Sequence, residues 1–262
     1  MTTTYLLRDS ATMLRRDLTH MIRYPSVTVM LIGMPVVFLL LFVYVLGGTL
    51  GDGLAATSGG RGEYLEYVVP AMLVMAISAV AQGTAIAVAM DMTEGIIARF
   101  RTMAISRAAV LTGHVGGSMV QSLLGIGVVG LVAVGIGYRA PAAAPRWLAV
   151  LAVLALIAFA LTWLTVAMGM ASRSVESASN TPFFLVLLPF LSSGFAPTES
   201  LPPAVRWFAD HQPFTPFIDT VRGLLDGSSV TGDAVATVAW CAVIAACSFV
   251  WARSSYERRS VR

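Results

Sequence analysis

The sequence contains no lysine, and all seventeen of its basic side chains are arginine. A Walker A loop needs a lysine beside the phosphates of a nucleotide, so the chain cannot bind ATP through such a loop. A Schiff-base mechanism is excluded on the same ground, because it requires a lysine amine. Composition therefore removes two large classes of enzyme before any motif is considered.

Cysteine and histidine are also scarce. Cys241 and Cys247 lie six positions apart in one apolar run, so on a helix they point in different directions and cannot form a disulfide. The three histidines are scattered, without the spacing of metal ligands. Ser118 follows His114 by one helical turn, but a lone histidine at a helix start is more often a satisfied polar group than a base. We predict no catalytic residue, no metal and no cofactor in this chain.

Charged residues are scarce as well. Charged residues make up 12% of the chain, hydrophobic residues make up 57%, and the mean hydropathy is +0.79. A soluble domain usually carries about 25% charged residues. Half that fraction leaves too little polar surface to solvate a globule, so we expect lipid to be the solvent.

Six long runs of the sequence contain no charged side chain. Crossing the hydrocarbon core takes about 20 helical residues, and each run is long enough. Only helices satisfy the backbone in lipid at this length. We therefore predict one all-α integral membrane domain over 1–262, with six transmembrane helices at 27–46, 67–90, 112–136, 147–170, 178–195 and 234–252.

Two prolines, Pro182 and Pro189, interrupt the fifth predicted span. A proline inside a helix removes one hydrogen bond and kinks the axis. The residues leave open whether this kink is merely tolerated or shapes a helix that lines a pathway.

The placement of arginine predicts the orientation of the spans. With the N-terminus in the cytoplasm, twelve arginines lie in the inner segments and five in the outer segments. This satisfies the positive-inside rule and makes both termini cytoplasmic. Residues 5–24 place apolar and basic side chains on different helical faces, which predicts an amphipathic helix on the cytoplasmic membrane surface. The alternative is a basic flank that only fixes the orientation.

The inner segment 91–107 mixes charge with five bulky apolar residues, more than a solvated loop needs. The pattern is typical of a short helix that packs into a groove on a cytoplasmic partner. A helix that rests on lipid explains it equally well. The third span that follows is rich in glycine, and Gly113 and Gly117 form a GxxxG pair, which favours close helix packing.

The outer stretch 196–232 is the longest loop. Its apolar residues recur at helical spacing in two pieces that Pro213 and Pro216 separate. Neither piece is long enough to span, so we predict an extracellular pair of short helices that dip into the outer leaflet or cap the bundle.

No charged residue lies within any of the six spans. Ion-coupled carriers usually hold a charged or titratable residue at membrane depth. The uncharged spans therefore argue against a secondary carrier and favour an external source of energy.

Two regions carry the pattern of a known family. The inner segment has an acidic residue, a glycine, then an Arg-Phe-Arg-Ser/Thr-like run that an arginine closes. The residues that fit are Asp91, Gly95, Arg99, Phe100, Arg101, Thr102, Ser106 and Arg107. The outer stretch has a Phe-Pro turn, Leu-Pro, an aromatic helix, Gln-Pro and an arginine before Leu-Leu. The residues that fit are Gly194, Phe195, Pro197, Leu201, Pro202, Trp207, Gln212, Pro213, Arg222, Leu224 and Leu225.

On these regions the chain resembles the membrane-spanning subunits of ABC type-2 exporters, of the daunorubicin- and doxorubicin-resistance kind. The resemblance implies a permease of the bacterial inner membrane that moves a hydrophobic drug-like metabolite or a lipid outward. It implies a second permease copy or a paralogue, and a separate nucleotide-binding subunit in which ATP and Mg²⁺ bind. No nucleic acid partner is expected. A membrane scaffold or sensor without transport activity is the alternative.

The resemblance also implies roles for individual residues. Segment 91–107 is implied to be a coupling helix that docks on the ATPase through Asp91, Glu94, Gly95, Arg99, Phe100, Arg101, Thr102, Ser106 and Arg107. The second and fifth spans are implied to line the route, with lining candidates Asn180, Phe183, Phe184 and Leu187. Ordinary bundle packing is the alternative for each of these four. An extracellular gate or cap is implied for Phe195, Pro197, Leu201, Pro202, Trp207, Pro213 and Arg222.

Overall fold

The computed structural model describes residues 3–23, 25–54, 60–93, 107–172 and 174–259. Within these ranges the chain is helical and contains no β-strand, as the all-α prediction requires. The helices are α1 (Thr3–Arg23), α2 (Pro25–Leu41), α3 (Gly47–Leu54), α4 (Arg61–Thr93), α5 (Arg107–Gly135), α6 (Ala144–Ala171), α7 (Val175–Asn180), α8 (Phe183–Leu187), α9 (Pro203–His211), α10 (Phe214–Asp226) and α11 (Thr231–Arg259). A π-helical segment, Phe42–Leu46, joins α2 to α3, and 3-10 turns occupy Leu188–Leu191 and Thr198–Ser200.

Five helical stretches are long and apolar enough to cross a membrane. They are Pro25–Thr49, Arg61–Thr93, Leu111–Gly135, Pro145–Ala171 and Thr231–Ser254. Each coincides, within a few residues at either end, with one of the predicted spans one to four and six. The agreement follows from the charge-free runs, because a helix in lipid continues as long as apolar side chains cover its backbone.

The predicted span at 178–195 is not a continuous helix. It consists of α7, α8 and the turn Leu188–Leu191, and the whole apolar stretch Val175–Leu191 is shorter than the other five. Pro182 precedes the first residue of α8, and Pro189 stands in the first positions of the 3-10 turn. Because a proline has no amide hydrogen, the helix that we predicted as kinked is broken at both positions.

Helix α4 lies at the centre of the bundle. In its most apolar stretch 78% of the residues are buried inside the chain, against 17% in α11. It packs against α2, α3, α5, α6, α7, α8 and α10. Close approach to α6 depends on Gly169, because a Cβ atom at that position would lie 2.5 Å from the carbonyl oxygen of Ala85.

Helix α1 packs against the first turns of α5. A Cβ atom on Gly113 would lie 2.5 Å from the Cβ of Met13, and one on Gly117 would lie 3.0 Å from the Cβ of Asp17. Carbon atoms in contact are normally about 3.5–4.0 Å apart, so only glycine permits this approach. The glycines predicted to bring helices together therefore allow α5 to pack closely against helix α1 of the same chain.

The short helices α9 and α10 occupy the stretch where two short helices were predicted. Helix α10 buries Phe214, Phe217, Ile218, Val221 and Leu225 in the main apolar core. It ends at Gly227, whose φ of 83° is the left-handed conformation that glycine adopts most readily. Helix α9 buries Ala209 but leaves Trp207 and Phe208 exposed. The pair thus covers one end of the bundle, which we call the Arg222 end.

The opposite end of α4 is the Asp91 end. Helix α1 contacts α4 and α5 there through Arg16 and Asp17. Ala252, near the end of α11, packs at the same end with Val88 and Met170. The first and last described helices therefore meet the bundle at one end.

Candidate functional site

Four charged or titratable side chains meet at the Asp91 end, and we call them the Asp91 cluster: Arg16, Asp17, Asp91 and His114. Arg16 donates two hydrogen bonds to Asp91, from Nη1 to Oδ2 at 3.1 Å and from Nη2 to Oδ1 at 3.0 Å. The imidazole of His114 lies with Nε2 3.1 Å from Asp91 Oδ2 and Nδ1 3.7 Å from Asp17 Oδ2. The cluster thus joins α1, α4 and α5, which are far apart in the sequence.

Burial differs among the members of the Asp91 cluster. The side chains of Asp91 and His114 are 10% and 9% exposed, whereas that of Arg16 is 40% exposed. A carboxylate buried to this degree needs a charged partner and hydrogen bonds, and the two-pronged contact with a guanidinium supplies both. Arg16, in contrast, reaches solvent along part of its side chain.

The coupling residues implied by the resemblance are only partly described by the structure. Asp91 lies in the last turn of α4, and Arg107 is the first residue of α5. The remaining residues lie outside the described part of the chain: Glu94, Gly95, Arg99, Phe100, Arg101, Thr102 and Ser106. Asp91 and His114 therefore mark the two flanks of this segment.

His114 and Ser118 do not form a catalytic pair. His114 faces the two carboxylates, whereas the Ser118 hydroxyl hydrogen bonds with Thr84 at 2.8 Å and with Thr162 at 3.1 Å. Thr84 in turn donates to the carbonyl of Val80. These hydroxyls tie α4, α5 and α6 together in the interior. Among the described residues, no group of three or more His, Cys, Asp or Glu side chains is arranged to hold a metal ion.

A second polar cluster lies at the Arg222 end, and we call it the Arg222 cluster: Tyr67, Ser193, Asp219 and Arg222. Arg222 pairs with Asp219 one turn earlier on α10 and donates from Nη2 to the carbonyl oxygens of Ser193 at 2.8 Å and Tyr67 at 3.3 Å. Its guanidinium carbon also lies 4.0 Å from the centre of the Tyr67 ring. Arg222, predicted as a cap residue, is the hub that ties α10 and the loop after the 3-10 turn to α4.

Further hydrogen bonds complete the Arg222 cluster. Tyr67 donates its hydroxyl to the carbonyl of Ser193 at 2.7 Å, and Ser193 donates its own hydroxyl to Asp219 at 2.7 Å. Burial raises the pKa of Asp219, and this outweighs the lowering by Arg222 and by the Ser193 hydroxyl. The arginine of this cluster is 16% exposed, so it is the cation that is held away from solvent here.

The other predicted cap residues have mainly structural positions. Pro197, Pro202 and Pro213 each precede a short helical turn or helix. Leu201 is half-buried between the 3-10 turn and α9, and Trp207 is exposed and stacked on His211. The structure therefore brings Phe195 and Arg222 into the bundle, and it leaves Trp207 on the outside.

Four phenylalanines form an aromatic cluster beside the Arg222 cluster. Phe195 stacks on Phe190 with ring centres 4.5 Å apart, and it contacts Phe42 at 4.7 Å. Phe38 meets the Phe190 ring edge to face at 5.5 Å. The π-helical segment that follows α2 begins at Phe42, so this segment lies against the interrupted apolar stretch Val175–Leu191, which we call the broken stretch.

The four predicted pathway residues lie at the surface of the broken stretch. Asn180, Phe183, Phe184 and Leu187 are all exposed, as is Leu191 at the end of this stretch. Helix α4, the other element implied to line the route, is instead buried among helices of its own chain.

The sequence did not predict which side chains contact Asp91, His114 and Arg222. Neither Arg16 nor Asp17 was singled out among the charges of the first helix, and Tyr67, Ser193 and Asp219 carried no motif. The available signal was position: Asp91 ends one charge-free run, and His114 is the sole histidine within the next. Their helices are adjacent in the chain, but the identity of the arginine that joins them could not be read from spacing.

Comparison with known proteins agrees with this architecture. Residues 9–225 match the family model described as ABC-2 type transporter. The chain is also 26% identical over 228 residues to the daunorubicin resistance ABC transporter permease protein DrrB1 of Streptomyces coeruleorubidus. That alignment covers 84% of this chain and 78% of the relative.

Proposed function

The chain belongs to the ABC-2 type transporter family, and on that premise we propose that it is the permease subunit of an ATP-driven exporter. The match spans most of the chain, from helix α1 to helix α10, and it carries the proposal. The substrate is a hydrophobic drug-like metabolite or a lipid, moved out of the cytoplasm or the inner leaflet. The similarity to a daunorubicin resistance permease favours a drug-like compound as the first probe.

We propose six crossings, of which the fifth is the broken stretch. Gln82 of α4 donates to the carbonyl of Ser179 at 3.0 Å, and Tyr64 of α4 donates to the carbonyl of Phe195 at 3.4 Å. The two contacts lie 18 residues apart on α4, which at 1.5 Å per residue is about 27 Å. This approaches the hydrocarbon thickness of about 30 Å. Residues 179–195 therefore run antiparallel to α4 over nearly the depth of a bilayer.

Six crossings place both termini on one side, which we propose is the cytoplasm of a bacterial cell. Helix α1 and the end of α11 meet the bundle at the same end, which supports an even number of crossings. The excess of arginine in the segments at that end favours the cytoplasmic side. Arg23 is exposed on α1 and suited to anionic headgroups of the inner leaflet. Helices α9 and α10 are then extracellular.

The energy comes from a separate ATPase subunit that docks on residues 91–107. The chain has no lysine for a phosphate-binding loop. ATP and Mg²⁺ are therefore bound by the partner. The Asp91 end is the cytoplasmic end in this orientation, so the segment between α4 and α5 faces the side on which ATP is available.

A second permease, either an identical copy or a paralogue, completes the transporter. The side chains of Asn180, Phe183, Phe184 and Leu187 are exposed in the single chain. Large apolar side chains with a single amide among them suit a face that lines a route for a hydrophobic substrate. The route then lies between the two permeases rather than inside one bundle.

Purification of the tagged permease from its native host in mild detergent tests the complex. We expect an ATPase subunit with a Walker A loop to copurify in stoichiometric amount, and inside-out vesicles that hold both subunits to take up daunorubicin on addition of ATP. The control replaces the Walker A lysine of the ATPase subunit by alanine. Absence of any ATPase after crosslinking would contradict the proposal and favour a scaffold or sensor subunit.

Phe100→Ala tests the docking segment. The variant should insert normally and lose the substrate-stimulated part of ATP turnover, because an apolar anchor of the docking helix is missing. Val250→Ala, an exposed apolar position on α11, is the matched control and should leave turnover unchanged. Equal turnover in the two variants would place the docking contact elsewhere.

A further inference from the structure

We propose that the Asp91 cluster is a clamp that fastens helix α1 to both flanks of the coupling segment, so that α1 moves with this segment when the ATPase acts. The inference rests on the proposed function, because it names how the docking segment is linked to the rest of the permease. It assigns Arg16, Asp17 and His114 as positioning residues, none of which belongs to the docking motif itself.

The first observation is the location of the clamp on both sides of one segment. Asp91 lies two residues before the end of α4, and His114 lies in the second turn of α5. Arg16 bonds to the first of these flanks, and Asp17 faces the second. Two adjacent residues of α1 therefore hold the exit from one helix and the entry into the next.

The second observation is the direct contact between the flanks. His114 Nε2 is 3.1 Å from Asp91 Oδ2, so α4 and α5 are joined to each other as well as to α1. Asp91 receives three of the contacts and is the least replaceable member. A force applied between the two helices reaches α1 through the Arg16–Asp91 pair and the His114–Asp17 contact.

The third observation is the close fit of the helices beneath the clamp. The glycines that face α1 leave no room for a side chain, and a Cβ atom on Gly116 would lie 3.2 Å from Leu14 Cδ1. Packed helices shift as rigid units because close-packed interfaces resist deformation. The glycine surface therefore fixes the distance between α1 and α5, and the ionic contacts fix the position of α1 along it.

The clamp can also open. Arg16 is 40% exposed, so water can solvate its guanidinium when Asp91 moves away. Helix α1 leads directly into α2, which contacts α4 and α5. The side-chain amide of Gln121 on α5 donates to the Thr28 hydroxyl on α2 at 3.1 Å, which is a further contact between α2 and α5. Movement of α1 would thus be passed to the first membrane helix.

Arg16→Gln is the direct test, with Arg15→Gln as the matched control on the exposed side of the same helix. In the complex of permease and copurified ATPase, we expect Arg16→Gln to lower substrate-stimulated ATP turnover by about fivefold or more, the scale of an ordinary coupling between sites. Basal turnover and copurification of the ATPase should stay unchanged. Arg15→Gln should match the original protein in all three.

A double-mutant cycle tests whether Arg16 and Asp91 act through one contact. Arg16→Gln and Asp91→Asn should each lower stimulated turnover. The double variant should lose no more than the more impaired single variant, because both changes break the same ion pair. Losses that add in the double variant would overturn the clamp.

Hydrogen exchange on the isolated permease tests the clamp independently of the proposed function. Loss of the clamp should speed amide exchange in residues 12–23 for Arg16→Gln and not for Arg15→Gln, whether or not an ATPase is present. Equal exchange in the two variants would refute the clamp. If exchange changes as expected but the unaltered complex shows no stimulated turnover, then the proposed function fails and the clamp remains.

Discussion

The two ends of helix α4 are held by ionic clusters of opposite construction. In the Arg222 cluster the cation is enclosed: it pairs with a carboxylate one turn away on its own helix, lies over an aromatic ring and donates to two backbone carbonyls. In the Asp91 cluster the anion is enclosed, and its arginine comes from a distant helix and is partly solvated. The first arrangement resists separation, because the guanidinium would lose its carboxylate, its two carbonyl acceptors and the Tyr67 ring at a place that water reaches poorly. The second can come apart at modest cost, since water replaces Asp91 around Arg16.

The difference indicates that the two ends of helix α4 have different roles. In the proposed orientation the Arg222 end is the outer end, where a cap must stay in place during transport, and a buried, multiply bonded arginine suits that requirement. A linkage to a moving partner must open and close, and a half-exposed ion pair suits that one. The following predictions test whether the two ends differ in this way, beginning with the largest expected effect.

Arg222→Leu should destabilise the protein by about 3 kcal/mol, because it removes the cationic partner of the Asp219 carboxylate, which keeps only the Ser193 hydroxyl, and one donor from each of the Tyr67 and Ser193 carbonyl oxygens. Thermal unfolding of the purified permease, followed by tryptophan fluorescence, measures the loss. Arg206→Leu is the control, since Arg206 forms an exposed pair with Asp210 at 3.6 Å and should change stability by less than about 1 kcal/mol. Similar losses in both variants would remove the contrast between buried and exposed arginine.

The stability deficit of Arg222→Leu should also depend on pH. Burial already raises the pKa of Asp219, and removal of the guanidinium raises this pKa further. A carboxyl group whose folded pKa exceeds its unfolded value contributes stability that is lost as the pH rises through the folded pKa. The unfolded chains of the two proteins titrate alike, so the deficit should grow as the pH rises through the raised folded pKa of Asp219 in the unaltered protein, and it should level off above the still higher pKa of the variant. A deficit that shrinks with rising pH would contradict the stabilisation of this carboxylate by Arg222.

Gly113→Ala should loosen helix α1 at a cost of about 1–3 kcal/mol, because the added methyl group overlaps the Met13 side chain. The effect should be local, visible as faster hydrogen exchange in α1 with little change in the core. Gly127→Ala, where a Cβ atom meets nothing within 4 Å, is the control on the same helix and should be neutral or slightly stabilising. Tolerance of both alanines would mean that α1 is not seated on this surface.

Tyr67→Phe should have the smallest effect, about 1 kcal/mol. It removes the 2.7 Å hydrogen bond to the carbonyl of Ser193 and keeps the ring beneath Arg222. Tyr44→Phe is the control, because Tyr44 is exposed and its ring contact with Arg61 does not need the hydroxyl. A loss at Tyr67 as large as that of Arg222→Leu would show that the hydroxyl, rather than the guanidinium, holds the cap.

The sequence was sufficient for the continuous membrane helices and insufficient for their arrangement. Charge-free length alone placed five of them, because hydropathy and helix length are properties of a local segment. The break at Pro182 and Pro189 was underestimated as a kink, since a proline pattern does not reveal whether neighbouring helices repair the missing hydrogen bonds. Asp91, Phe195 and Arg222 were singled out by resemblance, but the partners of Arg222 lie up to 155 residues away. The glycines of α5 indicated close packing without indicating which helix packs on them.

The packing of helix α1 on α5 has a consequence for biosynthesis. Its contacts join residues 13 and 17 to positions 113 and 117, so the surface that receives the first helix is made 100 residues after it. A ribosome that adds about 5–20 residues per second needs roughly 5–20 s to reach that point. During this interval the side of α1 that packs on α5 is not yet covered by that helix, and we expect it to rest on the membrane interface. The newly synthesised chain therefore uses lipid as a temporary substitute for its own third membrane helix. A thinner bilayer, or depletion of anionic lipid, should impair assembly of the chain before it affects the folded protein.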